Sequence, residues 1–516
     1  MFRSRVAFLG LFLACLALFF FAVGCSDNET AQEGTGIQEG TGAKAGASTR
    51  PNIVFILTDD LDYASASQFP NLRSQLIDKG AAFDNDFVGN SLCCPSRSTI
   101  LTGLYAHNHD VENNNPPKGG YEKFVAGGLE KKTIAYSLQQ SGYTTGLFGK
   151  YLNHYPGNAD DPSRTPAGWD EWHAWGDTLG QEGDENSANT GDTESTAAYY
   201  NYNLIENGKI VPYGDSSDDY LTDVLSGKAQ DFIRNASSGS KPFFLYLATS
   251  APHAVPVPAE RHQNASIPAQ APRTPSFDQE DVSSMPPWIR NMSRFSAQDT
   301  AGIDALYRLR MGSMLAVDEM VDSVIKELDA DGQLDNTFIF FTSDNGLLLG
   351  QHRIRHDKRY PYEEAIRVPL FVRGPGVPAG SKVENMIVNA DFAPTFAELA
   401  GTPFPSDGQE VDGRSFASLL RGEDPPWRSG ILLEWFGQSN RARYLPAYEG
   451  IRTDSYKYVE YATGDKELYD LRADPYELNN IYESADSSLL DDLKRRLDAL
   501  RSCTGEECRK AEGGDS

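Results

Sequence analysis

Basic residues are the first shortage. The 516-residue chain carries 46 Lys and Arg against 73 Asp and Glu, a net charge of -27. A surface so acidic has nothing to offset phosphate repulsion, which excludes a nucleic-acid-binding role. The same deficit denies a polyanionic substrate long-range steering, so any anion bound here needs a local basic pocket, helped by salt screening. Cysteine is the second shortage, with six in the whole chain. Cys15 and Cys25 fall in the N-terminal apolar stretch, and Cys503 and Cys508 share the short run Cys-Thr-Gly-Glu-Glu-Cys. That run closes as a disulfide in an oxidising compartment, or else leaves two free tail thiols. Cys93 and Cys94 remain, adjacent and far in sequence from any partner. Neighbouring cysteines rarely bridge each other, so this pair calls for a separate explanation. Apolar material is not short: 40% hydrophobic and 11% aromatic residues suffice for one large domain plus a smaller one, or two to three ordinary domains.

At the N-terminus, Arg3 and Arg5 precede a charge-free stretch, Val6 to Val23, which ends in Ala22-Val23-Gly24-Cys25. A basic start, an apolar stretch and small residues before a cysteine resemble a bacterial lipoprotein signal over residues 1–25, with Cys25 lipidated after cleavage. Ala22 departs from that pattern, which usually has Leu three residues before the cysteine. The stretch is also just long enough to act as an uncleaved membrane anchor. Either way the body is exported and held at a membrane, facing the periplasm or the cell exterior. Residues 26–50 are rich in Gly, Thr, Glu and Ala and nearly repeat Gln-Glu-Gly-Thr-Gly. Such a stretch cannot offset its own ordering entropy and reads as a flexible tether.

From Pro51 the texture changes. Asn52 to Leu57 is a continuous apolar run with β-branched residues, the pattern of a buried parallel strand. Thr144 to Phe148, Phe243 to Leu247, Thr337 to Phe341 and Val368 to Val372 read the same way. Helical patterns lie between them; in Ser313 to Leu328, Met314, Val317, Met320, Val321, Val324, Ile325 and Leu328 make one apolar face. Strands alternating with helices predict an α/β sandwich with a mainly parallel central sheet over residues 51–422. Two polar stretches, Pro156 to Ser217 and His262 to Asp299, read as long loops, the first with Trp169, Trp172 and Trp175 interspersed. Residues 423–516 read as a small C-terminal subdomain. Short strands are expected at Gly430 to Trp435, Gly450 to Arg452, Tyr456 to Tyr461 and Glu467 to Tyr469, with a helix from Leu489 to Leu500.

The chemistry-bearing residues cluster at strand ends. Asp59 and Asp60 directly follow the first strand, where ligands of open α/β sheets bind. Alone, they read as a solvated turn or a helix cap. Asp344-Asn345-Gly346 follows the strand at Thr337 to Phe341, and alone it fits an ordinary turn. Together, three carboxylates and an amide oxygen suit a hard cation, Ca²⁺ or Mg²⁺, and do not suit Zn²⁺. In Cys93-Cys94-Pro95-Ser96-Arg97, Pro95 and Ser96 are helix-start residues and Gly103 is a stop, which places Cys93 just before a helix N-terminus. Backbone N–H groups there favour anions, and Arg97 one turn in can reach back.

Cys93-Cys94-Pro95-Ser96-Arg97 with Leu101-Thr102-Gly103 resembles the signature of type I sulfatases, Cys-x-Pro-Ser-Arg followed by Leu-Thr-Gly. The resemblance spans nearly all of Asn52 to Arg509 through further landmarks. It implies an alkaline-phosphatase-like α/β fold and conversion of Cys93 to formylglycine by a formylglycine-generating enzyme. The hydrated aldehyde attacks sulfur, and its second hydroxyl expels sulfate as the aldehyde reforms. Asp59, Asp60, Asp344 and Asn345 match the family's calcium ligands, together with the modified Cys93, with Mg²⁺ the lesser choice. Arg97 matches the arginine that holds the formylglycine, Lys150 and Lys358 the two sulfate-binding lysines, and His253 the histidine that contacts sulfate or the leaving group. These cations would stabilise the charge that moves onto nucleophile and leaving oxygens, and His253 would donate a proton to the leaving oxygen.

One departure matters. Most of the family has a histidine two residues after the first lysine, where this chain has Leu152. Lys150-Tyr151-Leu152-Asn153 and the doubled Cys-Cys look like the subgroup of N-acetylglucosamine-6-sulfatases and extracellular heparan-sulfate 6-O-sulfatases. His154 is a candidate replacement for the missing histidine; His107 and His109 are candidates for the pocket or its support. The expected substrate is a sulfated sugar or an aryl sulfate. The alternatives are a phosphonate monoester or phosphodiester hydrolase with the same machinery, and an inactive tethered glycan-binding protein.

Overall fold

The computed structural model describes residues 50–157, 161–176, 179, 198–253, 255–405, 410–437 and 445–514. The expected signal at 1–25 and, apart from Arg50, the expected tether lie outside them.

Among the described residues, eleven strands form the main sheet. In chain order they are β1 (Asn52–Thr58), β2 (Ala81–Phe87), β3 (Thr144–Gly149), β4 (Glu171–Trp175), β5 (Asn203–Glu206), β6 (Lys209–Pro212), β7 (Phe243–Ala248), β8 (Thr337–Ser343), β9 (Arg367–Arg373), β10 (Ser381–Val383) and β11 (Ile387–Val388). The order across the sheet is β10-β2-β9-β8-β1-β7-β3-β4-β5-β6, with β11 also paired to β2. Its centre, β8-β1-β7-β3-β4, is parallel throughout. Antiparallel pairs, β8 with β9 and β4 with β5, flank that centre.

Period-two alternation sorts β1 between two cores. Val54 and Ile56 pack with Leu225, Phe232, Met314 and Val317, residues of the helices Leu221–Ser237 and Ala297–Ala330. Ile53, Phe55 and Leu57 face the other way, onto Leu138, Phe392 and Phe396 of the helices Ile134–Gln140 and Phe392–Ala400. Both faces are covered, so the strand reads as a continuous apolar run. The fold is the expected α/β sandwich.

Three readings need correction. The helix expected at Ser313 to Leu328 runs from Ala297 to Ala330, started by a capping box in which Ser296 and Asp299 bond each other's backbone N–H. Its first turns are polar because they lie on the surface, which hid them from an apolar-face search. The tryptophan-bearing stretch is not all loop. Trp172 is fully buried in β4, and β5 and β6 make a hairpin about Asn207-Gly208, both with positive φ. An Asn-Gly pair at such a turn is a strong hairpin signal. Strand β2 was missed because Asp84, Asn85 and Asp86 interrupt its apolar pattern.

The C-terminal part is an antiparallel sheet of β12 (Gly430–Trp435), β13 (Tyr448–Thr453), β14 (Tyr456–Tyr461) and β15 (Lys466–Asp470). Leu493, Leu497 and Leu500 of the helix Ser487–Leu500 cover it. The same cluster takes in Phe87, Leu92, Tyr105 and Tyr362 from the main body, so the two sheets share buried surface. Cys503 and Cys508 form a disulfide, and Cys508 lies in an unanticipated helix, Glu506–Glu512.

Candidate active site

The parallel register builds the site. Thr58 pairs with Ser343 at the ends of β1 and β8, so the next residues, Asp59-Asp60 and Asp344-Asn345, emerge side by side. On the other side of β1, Leu57 pairs with Ala248 of β7, and Ala248 pairs with Gly149 of β3. Lys150 and the loop bearing His253 therefore leave the sheet at the same end. Asp60 adopts a left-handed φ of 69°, and its N–H donates to Asp344 Oδ1 at 3.2 Å.

The helix over these strand ends is Cys93–Thr102, stopped by Gly103 in a left-handed conformation. Cys93 is its first residue and not the one before it, a correction to the sequence reading. Pro95 still lies in the first turn, where N–H groups lack helical acceptors and proline is tolerated. Arg97 is fully buried and ties three strand ends together: Nε donates to Asp344 Oδ2 and Nη1 to the Lys150 carbonyl, both at 2.8 Å, while Nη2 lies 3.7 Å from Asp59. Ser96 Oγ donates to the Asp344 carbonyl at 2.5 Å.

Around Cys93 the charges converge. One potential ligand atom each from Asp59, Asp60, Cys93 and His253 lies within 4.8 Å of the others. Lys358 Nζ donates to Asp60 Oδ1 at 2.6 Å and lies 2.9 Å from Cys93 Sγ. Lys150 Nζ donates to Asp59 Oδ2, and Cys93 Sγ is 3.5 Å from Asp59 Oδ1. His253 stands at the edge, its Nε2 3.8 Å from Asp60 Oδ2. Burial works to raise the Asp59 pKa, but Lys150, His253, Arg97 and Lys358 outweigh it and hold the carboxyl well below its usual range. Burial and the Asp59 charge push the Cys93 thiol up. Burial, and then the Asp59 charge, raise Asp344, while Arg97 and Lys150 oppose that rise.

The donor set fits a divalent cation. Asn345 Nδ2 donates to Asp60 Oδ1 at 2.6 Å and to the Gly346 carbonyl at 2.9 Å, which fixes the amide. Its Oδ1 is buried with no hydrogen-bond partner among the described residues. An orphaned amide oxygen beside three carboxylates is what an oxygen-bound cation satisfies.

All nine residues expected from the sequence, Asp59, Asp60, Cys93, Arg97, Lys150, His253, Asp344, Asn345 and Lys358, thus meet at one end of the sheet. Other candidates go elsewhere. Leu152 is buried in the core. His154 has its Nδ1 3.8 Å from Glu122 and is not in the four-residue group around Cys93. His109 accepts from the Val111 N–H and pairs with Thr99 Oγ1, with burial pushing its pKa down to about 3. His107 lies between Glu434, at 2.9 Å, and the Cys503 carbonyl, at 3.0 Å, and joins the main body to the C-terminal part. Cys94 packs in the core.

Sequence reasoning missed Arg310. It is fully buried in the helix Ala297–Ala330 and donates from Nη1 to the Pro252 carbonyl at 3.0 Å and from Nη2 to the Asp60 carbonyl. One side chain thereby supports both the Asp60 turn and the loop leading to His253. The available signal was an arginine in line with Met314, Val317 and Val321 on the apolar face.

A family model described as Sulfatase matches residues 51–402, and one described as N-sulphoglucosamine sulphohydrolase, C-terminal, matches residues 350–503. The chain belongs to the sulfatase family. As a sulfatase it is a sulfuric ester hydrolase, and its family implies a formylglycine and a divalent metal. Goat (Capra hircus) N-acetylglucosamine-6-sulfatase is 34% identical over 502 residues, covering 90% of this sulfatase and 86% of the relative. An N-acetylglucosamine-6-O-sulfatase of Bacteroides thetaiotaomicron is 29% identical, covering 85% and 83%. A solved structure in complex with its substrate D-glucosamine-2-N,6-O-disulfate superposes with a TM-score of 0.70 at 27% identity, covering 91% of this chain and all of that one.

Proposed function

We propose that this sulfatase hydrolyses 6-O-sulfate esters of amino sugars, using formylglycine made from Cys93 and a bound Ca²⁺. The observation that carries the reading is the convergence of Asp59, Asp60, Cys93 and His253 within 4.8 Å, with the Lys150 and Lys358 ammonium groups on their carboxylates. A formylglycine at position 93 would supply the nucleophilic hydroxyl, and a cation held by Asp59, Asp60, Asp344 and Asn345 would lend charge to the reacting oxygens.

The remaining work falls to this chain's own side chains. Asp59, Asp60, Asp344 and Asn345 hold the cation with the modified Cys93; an all-oxygen set suits Ca²⁺ better than Mg²⁺, which keeps several waters. Lys150 and Lys358 bind sulfate oxygens and stabilise charge already in place, without reorganisation. Arg97 fixes residue 93 by tying its helix to Asp344 and the Lys150 carbonyl. His253, at the edge, delivers a proton to the leaving sugar oxygen. Support for an amino-sugar 6-sulfate comes from the relatives named for that activity, the disulfated glucosamine bound by the solved neighbour, and Leu152 in place of the usual histidine. The body acts outside the cytoplasm, tethered through Cys25, a placement the Cys503–Cys508 disulfide supports. Loss of membrane association on Cys25→Ser substitution tests that tether.

Mass spectrometry of the Cys93 peptide from the native host, with sulfate release from N-acetylglucosamine 6-sulfate, tests the whole reading. An unmodified thiol throughout, or faster cleavage of a nitrophenyl phosphodiester than of the sugar sulfate, overturns it.

A further inference from the structure

We propose that a cleft beside the Lys358 loop is a second anion subsite, which holds the sulfate or carboxylate of a sugar neighbouring the one whose ester is cleaved. The inference rests on the sugar-sulfate reading above.

The cleft encloses about 680 Å³ between the stretch Pro287 to Asp299, the loop Arg353 to Tyr360 and the β14–β15 turn. Tyr360 in its wall lies two residues beyond Lys358, the lysine that reaches Cys93. Two arginines in the wall are half exposed and only partly used. Arg294 spends its Nε on Asp278 at 2.8 Å, and Arg355 spends its Nη2 on Asp299 at 2.6 Å; each side chain is 51% exposed. A guanidinium has five donors in a planar fork that matches sulfate or carboxylate, so each keeps donors for a ligand. The Trp288 indole Nε1 is a third donor, buried and with no acceptor among the described residues, on a ring held against Tyr461 with centroids 4.5 Å apart.

The acceptors matter as much as the donors. Asp299 and Asp465 stand in the same wall. A bare anion would be repelled by them, whereas a sulfated or uronate sugar brings hydroxyl donors for these carboxylates and anionic oxygens for the arginines. Aromatic faces beside such mixed groups suit a sugar ring. In a chain of net charge -27, two partly used guanidinium groups next to the reacting loop are a specific local provision.

The test uses the full chain carrying Cys93→Ala, which binds without turnover, with and without Arg294→Gln and Arg355→Gln. Calorimetry measures Kd for a heparin-derived tetrasaccharide and for its fully desulfated counterpart. The expected result is a rise in Kd of about tenfold or more in the arginine-substituted chain. Weakening toward both ligands assigns the contact to carboxylate; weakening toward the sulfated one alone assigns it to sulfate. An unchanged Kd for both, or no tetrasaccharide binding by the arginine-intact chain, overturns the proposal. Failure of the sugar-sulfate reading would show separately, as no sulfate released from N-acetylglucosamine 6-sulfate by the unsubstituted enzyme.

Discussion

Lys358 Nζ touches two groups at once, Asp60 Oδ1 at 2.6 Å and Cys93 Sγ at 2.9 Å. One ammonium therefore serves both a proposed cation ligand and the nucleophile position. Lys358→Ala is expected to lower kcat about 10²- to 10³-fold, the usual result of deleting one preorganised charge-stabilising donor. Steady-state kinetics checks this, with a thermal melt to establish that the variant folds.

Chelation gives a second expectation. Removing the divalent cation abolishes sulfate release and lowers Tm, because a ligand at 100 times its Kd stabilises the fold by about 2.7 kcal/mol. Added Ca²⁺ restores both. Asn345→Ala, which deletes the orphaned amide oxygen, raises the half-saturating calcium concentration about tenfold or more, read from calcium titrations of Tm.

The third expectation concerns pH. Burial works to lower the His107 pKa, but Glu434 outweighs it, and the folded value rises from 6.5 to about 9. A raised folded pKa contributes stability that is fully present below the unfolded value and is lost as pH rises through the folded one. Stability should therefore fall between pH 6.5 and about 9, by at most roughly 3 kcal/mol for this group. His107→Gln flattens that part of the urea-denaturation profile; an unchanged profile would refute the assignment.

Arg310 yields the fourth. Arg310→Lys keeps a charge but cannot reach both the Pro252 and Asp60 carbonyls in one fork. Displacing both loops should lower kcat about tenfold or more, because a misplacement of about 1 Å can cost about 100-fold, and should also weaken calcium binding. Calcium-dependent Tm separates this positioning effect from general destabilisation, which would lower Tm equally with and without calcium.

Much of this was legible in the sequence because the central strands are buried on both faces. β1, β3, β7 and β8 announce themselves as apolar runs, and a parallel register then aligns the residues that follow each of them. That is why Asp59, Asp344, Lys150 and His253 could be assigned to one site from spacing and resemblance. Elements with one polar side were harder. β2 carries Asp84 and Asp86, and β4 to β6 lie toward the sheet edge, where short strands mix polar and aromatic residues. The Asn207-Gly208 turn was a usable signal that an apolar-run search ignores. Arg310 left only its place on the apolar face as a signal, and its role was hidden for another reason: its partners are backbone carbonyls of distant loops, and carbonyls leave no mark in a sequence.

Cys93 is fully buried, beneath strand ends and loops that come from very different points in the chain. Asp344 and Lys358, which close over it, follow it by some 250 residues of synthesis. A converting enzyme needs the thiol accessible, and the finished fold hides it. The modification proposed for Cys93 would therefore have to precede the closing of Asp344 and Lys358 over it. A molecule that closed this fold first would keep the Cys93 thiol out of a converting enzyme's reach.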